Sequence, residues 1–227
     1  MKKRLQDKVA IITGAGCVGP GWGNGRSMAY RFMEEGASIL AVDKSQDTLA
    51  ETLEVCAPFG EKIKTHICDA TKGEAVSDMM DVCLESFCRL DILVNNVFKI
   101  PDPPAWDGGF WEHPVSIWDD QVGIGCRAHY VASWHAVPLL FESPNRPIII
   151  NITSPAGLIY LFSSSYSTGK AALDRLTHDM AVELAPKNVT ALALRPGPTR
   201  TEFIEDQAAA GVQVAMDGAE TPIFVGR

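Results

Sequence analysis

The chain has 227 residues, 46% hydrophobic and 21% charged, with mean hydropathy near zero. That fits one soluble globular domain over 1–227 with a full core. A net charge of −8 argues against nucleic acid or an anionic membrane as partner.

No apolar run reaches the ~18 residues of a membrane helix. Met1-Lys2-Lys3-Arg4 leads into Gln6, Asp7 and Lys8 rather than an apolar signal segment. Six scattered cysteines without a Cys-x-x-Cys pair suit reduced thiols, so a cytoplasmic location is expected. No metal is expected, because the five histidines lack ligand spacing; His129 and His135 are placed on a helix surface or in an interface.

Val9-Ala10-Ile11-Ile12-Thr13 reads as a buried strand. It runs into Gly14, Gly16, Gly19, Gly21, Gly23 and Gly25, then into a stretch where Met28, Ala29, Phe32 and Met33 share one helical face and Gly36 marks a stop. Strand, glycine loop and helix make the first half of a nucleotide-binding βαβ unit. Glycines let backbone approach a pyrophosphate, and the helix start offers free N–H groups. A second strand, Ser38 to Val42, ends at Asp43. A carboxylate there accepts hydrogen bonds from ribose hydroxyls and repels a 2′-phosphate, favouring NAD, while Lys44 leaves NADP open.

Helices are predicted over 45–56, 72–88, 115–141 and 166–185, with Pro138 kinking or ending the third and Pro186 ending the fourth. Residues 99–114, with four prolines, read as an irregular loop beside the site. Ile148-Ile149-Ile150 and Val189 to Leu194 read as the fifth and sixth strands. Alternating strand and helix predict an α/β fold, a parallel sheet covered on both faces.

Tyr166 and Lys170 stand at i and i+4, on one helical face. A lysine so placed stabilises phenolate and lowers a pKa otherwise about 10. Ser154, twelve residues upstream, can hold the oxygen that exchanges the proton.

These segments, in this order, resemble the short-chain dehydrogenase/reductase family over nearly the whole chain. The resemblance rests on Thr13-Gly14 with Gly23-Asn24-Gly25, on Cys68-Asp69-Ala70, and on Asp91 to Asn96. It continues through Ser154, Tyr166 and Lys170 to Arg195-Pro196-Gly197-Pro198-Thr199-Arg200-Thr201. Phe110 to Pro114, Trp118-Asp119-Asp120, Arg127 to Tyr130 and Ser154 to Gly157 resemble the family's dehydrogenase/reductase member one branch.

The resemblance implies a Rossmann-type doubly wound sheet and an NAD(P)-dependent oxidoreductase acting on a small alcohol or carbonyl compound of apolar character. Its catalytic set would be Ser154, Tyr166 and Lys170. Its cofactor set would be Gly14, Gly16, Gly23, Asn24, Gly25, Asp43, Asp69, Ala70, Asn95, Tyr166, Lys170, Pro196, Gly197, Thr199 and Thr201, with Thr201 on the nicotinamide carboxamide. Leu158, Tyr160, Phe162, Phe98 and Trp111 are candidates for the substrate pocket.

Departures from the pattern qualify this. Five extra residues separate Gly14 from Gly23; Gly125 stands where the family has an asparagine that holds a water behind the lysine; Val97-Phe98 replaces Ala-Gly. A lid is expected over about 202–222. The chain stops about where the family's last helix begins, which implies six strands, an absent seventh and an unpaired sixth. A homodimer or homotetramer is expected. The alternative is a catalytically impaired NAD(P)-binding regulator, favoured by Gly125 and the short C-terminus. An epimerase or dehydratase is disfavoured, since such enzymes carry a separate substrate domain.

Overall fold

The computed structural model describes residues 3–101, 108–211 and 216–227. Parts of the loop expected over 99–114 and of the lid expected over 202–222 therefore lie outside the described residues.

Six strands form, five of them aliphatic runs and the third mixed: β1 Val9–Thr13, β2 Ser38–Asp43, β3 Ile63–Ile67, β4 Ile92–Asn95, β5 Ile148–Ile152 and β6 Thr190–Leu194. They pair in parallel in the order β3-β2-β1-β4-β5-β6. The order reverses between β1 and β4, which opens a crevice at their carboxyl ends. Among the described residues β6 pairs in the sheet with β5 alone.

All five residues of β1 are buried, so both faces need covering. Ala10 and Ile12 meet Met28, Ala29 and Met33 of α1 (Asn24–Glu34), with Leu49 of α2 (Gln46–Cys56) in the same cluster. Ile11 faces the other way, into a cluster with Val76 and Met79 of α3 (Gly73–Phe87). A one-residue slip of register would exchange these sets, so the pairing is strongly specified.

The helix predicted over 115–141 is helical from Ser116 to Phe141, in three pieces: α4 (Ser116–Trp118), a π-helical stretch (Asp119–Arg127) and α5 (Ala128–Phe141). Gly123 and Gly125 weaken the α-helical preference of the middle piece. α6 (Ser164–Leu184) follows β5 and packs closely on that stretch, since a Cβ added to Gly169 would lie 2.4 Å from the Gln121 carbonyl oxygen.

Two expectations are corrected. Of the two outcomes expected at Pro138, kinking or ending the helix, ending does not occur: α5 continues to Phe141. Pro138 is exposed, and on that side water can serve the carbonyl freed by the missing N–H. His129 is not at a surface but 1% exposed. Its Nε2 lies 3.0 Å from the Val97 carbonyl oxygen, and burial pulls its pKa down to about 3, so the neutral ring serves as a core polar strut.

α7 (Glu202–Ala209) and α8 (Pro222–Val225) complete the described helices. α8 returns to α1, where a Cβ on Gly226 would lie 2.7 Å from the Ser27 carbonyl oxygen.

At the amino edge of the sheet, Asp91 is fully buried. Its carboxylate accepts from Val9 N–H at 2.8 Å, Arg89 Nε at 3.1 Å, Ser143 Oγ at 2.5 Å and Asn145 Nδ2 at 3.3 Å. It therefore ties the start of β1 to the loop after α5. Asp91→Ala should cost about 3 kcal/mol in urea unfolding, because it orphans a buried N–H and an arginine partner. Asp91→Asn, which keeps one acceptor, should cost less.

Candidate active site

The glycine loop is folded by backbone contact. Gly14 takes φ +65°, and a Cβ added at Gly25 would lie 1.9 Å from the Gly14 carbonyl oxygen. Asn96 Nδ2 donates to that same oxygen at 2.8 Å. Gly16 donates its N–H to Asp43 Oδ2 at 3.0 Å, and a Cβ there would strike Thr48. The Asp43 carboxylate also accepts from the N–H groups of Lys44 and Ser45. It has about four acceptor sites, so one remains for a ribose hydroxyl.

The five extra loop residues do not bulge away as a whole. The buried Arg26 guanidinium donates to the Gly21 carbonyl at 2.6 Å, to Thr52 Oγ1 at 3.2 Å and to Glu51 at 2.7 Å. Cys17 turns inward while Val18 stays exposed. Glu202, 8% exposed, accepts from the Val18 N–H at 3.0 Å. Its short-range sequence context gives no sign of this, because the contact spans 184 residues.

The proposed catalytic trio is brought together. β5 ends just before Ser154, and α6 starts on Ser163, whose hydroxyl accepts from the Tyr166 N–H. The Ser154 hydroxyl is near enough to the Tyr166 phenol to act downward on its pKa, and its Oγ accepts from the Ala156 N–H at 3.2 Å. Phe98 and Phe162 pack edge-on against the Tyr166 ring, with centroids 5.7 and 5.4 Å away. Lys170, 7% exposed, donates from Nζ to the Ile152 carbonyl at 3.1 Å.

One electrostatic expectation is corrected. Lys170 was expected to depress the tyrosine pKa. Burial instead holds Tyr166 above its ordinary value, offset in part by the Ser154 hydroxyl. The ammonium lies 5.8 Å from the ring centroid and is aimed at a backbone carbonyl, so desolvation of the phenolate wins. Burial also pulls Lys170 down to about 8, with Asp174 and then Cys126 opposing it.

The remaining candidates divide. Gly14, Gly16, Gly23, Asn24, Gly25, Asp43, Tyr166 and Thr201 line one cavity of about 1040 Å³, together with Asn96, Phe98, Phe162 and Glu202. Asn95 is turned inward, its amide donating to Ser133 Oγ at 3.0 Å and Asn151 Oδ1 at 2.9 Å; Asn96 faces the cavity instead. Asp69 is outside the lining and accepts from the Thr71 N–H and hydroxyl, which lower its pKa. Ala70 is buried. Thr199 donates to the Gly197 carbonyl in the turn after Pro196, and Thr201 caps α7 by accepting from the Ile204 N–H. Leu158, Tyr160 and Trp111 are exposed beyond the lining.

The Lys170 shift makes a prediction. An amine whose folded pKa is about 8, against 10.5 ordinarily, loses its proton earlier in the folded state. Its burial penalty is therefore full below about 8 and relieved as pH rises toward 10.5. The melting temperature of the protein relative to Lys170→Met should rise across that window. A constant difference would show that the ammonium is not desolvated.

Residues 8–210 match the family profile described as short chain dehydrogenase. The mouse protein Dehydrogenase/reductase SDR family member 1 is 32% identical over 223 residues, which are 97% of this chain and 68% of that protein. The chain thus spans about two thirds of the length of its curated mammalian relatives. A Burkholderia xenovorans structure described as a short-chain dehydrogenase/reductase superposes with TM-score 0.88 at 31% identity, over 99% of this chain and 88% of that one. Carveol dehydrogenase from Mycobacterium avium, solved in complex with NAD, gives 0.80 at 27% identity, over 90% and 76%. With this sheet order, glycine loop and serine–tyrosine–lysine arrangement, the chain belongs to the short-chain dehydrogenase/reductase family of oxidoreductases.

Proposed function

We propose that the chain interconverts an alcohol and a ketone or aldehyde, with NAD(P) as hydride carrier. One observation carries this reading: Tyr166 lines the same cavity as the glycine loop, with the Ser154 hydroxyl beside its phenol. The loop and the start of α1 suit a pyrophosphate, and Asp43 suits ribose hydroxyls. The Asp43 carboxylate would repel a 2′-phosphate, which supports NAD as the preferred cofactor over NADP, although Lys44 also lines the cavity.

When bound, the nicotinamide supplies or takes the hydride. Ser154 holds the substrate oxygen by its hydroxyl. Tyr166, kept protonated by burial, gives its Oη proton to a carbonyl oxygen during reduction, and in the oxidation direction its phenolate takes the proton of the alcohol. Lys170 places a cation beside Phe98 and Tyr166 and offers a donor to the ribose. The apolar walls supplied by Phe98 and Phe162, and the relative that is a carveol dehydrogenase, support an apolar substrate.

A catalytically impaired NAD(P)-binding regulator is the second reading. Gly125 favours it: this buried position has open space where a side chain would begin, so nothing there takes the asparagine's part. A panel of ketones and alcohols read at the NAD(P)H absorbance, with both cofactors, separates the two. Tyr166→Phe should lower turnover about 10²–10⁴-fold while dinucleotide still binds. In the wild type, oxidation should speed up and reduction slow down as alkaline pH removes the Tyr166 proton. Binding without turnover for every substrate would favour the regulator.

Self-association belongs to the same proposal. Tyr130, Trp134 and Phe141 of α5 and Val182 of α6 are all exposed, and large apolar side chains left to water are candidates for an interface. A homodimer or homotetramer would cover them. Trp134→Glu should reduce the mass seen by light scattering toward that of one chain; an unchanged mass would place any interface elsewhere. Among the described residues no helix is long and apolar enough to cross a membrane. The scattered, unpaired cysteines support work in a reducing cytoplasm.

A further inference from the structure

The glycine loop holds an anion of the chain's own. Glu202, the first residue of α7, is 8% exposed. Its Oε1 accepts from the Val18 N–H at 3.0 Å, and its Oε2 has no partner although it is buried. A Cβ built on Gly23 would lie 3.3 and 3.4 Å from the two carboxylate oxygens. Gly23 caps α1 without any side-chain hydrogen bond, so the carboxylate sits at the positive end of an 11-residue helix. The same charge helps burial push the Cys17 thiol up to about 11. Arg26, the cation of this region, is occupied with Glu51, Thr52 and the Gly21 carbonyl.

We infer that Glu202 is an internal competitor for the dinucleotide phosphates. Its carboxylate holds the anion seat of the loop, and a pyrophosphate takes that seat only when α7 carries Glu202 out of it. This rests on the dinucleotide reading above and adds a regulation to it. Two anions in one largely buried seat repel, and one seat at one helix start cannot satisfy both. The exchange also reaches the substrate side. Phe203, Ile204 and Gln207 of α7 line the cavity, so moving the start of α7 reshapes the wall opposite Tyr166. Cofactor arrival and pocket shape are thereby coupled through one short helix.

Two measurements test the inference. Hydrogen exchange of the segment containing Val18, in protein without added nucleotide, reads the contact directly. Glu202→Ala should exchange faster there than wild type, and equal protection would overturn the contact. Fluorescence titration with NADH and with NADPH reads the competition. Glu202→Gln, which keeps the shape but not the charge, should bind about tenfold more tightly than wild type, because the binding-competent fraction rises. Unchanged or weaker binding overturns the competition while leaving the cofactor reading intact. If neither protein binds either dinucleotide, the cofactor reading fails and the competition falls with it. Melting temperatures within a few degrees of wild type would show that both variants fold.

Discussion

Gly14 and Gly25 meet backbone to backbone, and the glycine-loop half of the candidate site is built outward from that contact. A side chain at Gly25 would place a carbon 1.9 Å from the Gly14 carbonyl oxygen, so only glycine lets the start of α1 come this near the end of β1. Asn96 closes the joint from β4 by donating to the same oxygen. Three elements on either side of the sheet's switch point are thus held by one carbonyl. The positive end of α1 then faces the cavity without needing a cation to hold it there.

A second close approach builds the catalytic half. Gly169 stands between Tyr166 and Lys170, and its missing Cβ lets α6 settle against the Gln121 carbonyl. That depth buries Lys170, turns its ammonium toward Ile152 and desolvates both members of the pair. The two glycine contacts therefore do opposite electrostatic work. The first gathers dipoles at the proposed phosphate site; the second strips water from the groups proposed to move a proton.

Much of this is written locally. β1, β2, β4, β5 and β6 are short aliphatic runs, and their period and punctuation show in sequence. So does the i, i+4 spacing of Tyr166 and Lys170. What is not legible depends on distant partners. Nothing local tells that Asp119–Arg127 is π-helical, since its width answers to α6 packing against it. Pro138 reads as a breaker until its exposure is known. The Tyr166 pKa direction follows from burial, which spacing does not encode. Asn95 and Asn96 look equivalent in the chain, yet one joins a buried amide network and the other faces the cavity. Glu202 is the extreme case, an ordinary acidic residue at a helix start whose meaning lies 184 residues away.

Several unfavourable features gather around the cavity. Buried polar atoms without a protein partner include Asn24 Oδ1 and Glu202 Oε2 of the cavity residues, and others away from it such as Arg31 Nε. Phe162, a bulky residue at φ +62°, stands in the same region, pressed against Tyr166. At the amino edge Asp91 has a donor for each of its lone pairs. Strain and desolvation persist only where surrounding structure over-determines them. Here that surrounding structure is the pair of apolar clusters on the two faces of β1, reinforced by the Asp91 joint. Weakening that joint should therefore loosen the site at the far end of the strands before it melts the sheet, because the site has the least stability of its own to lose.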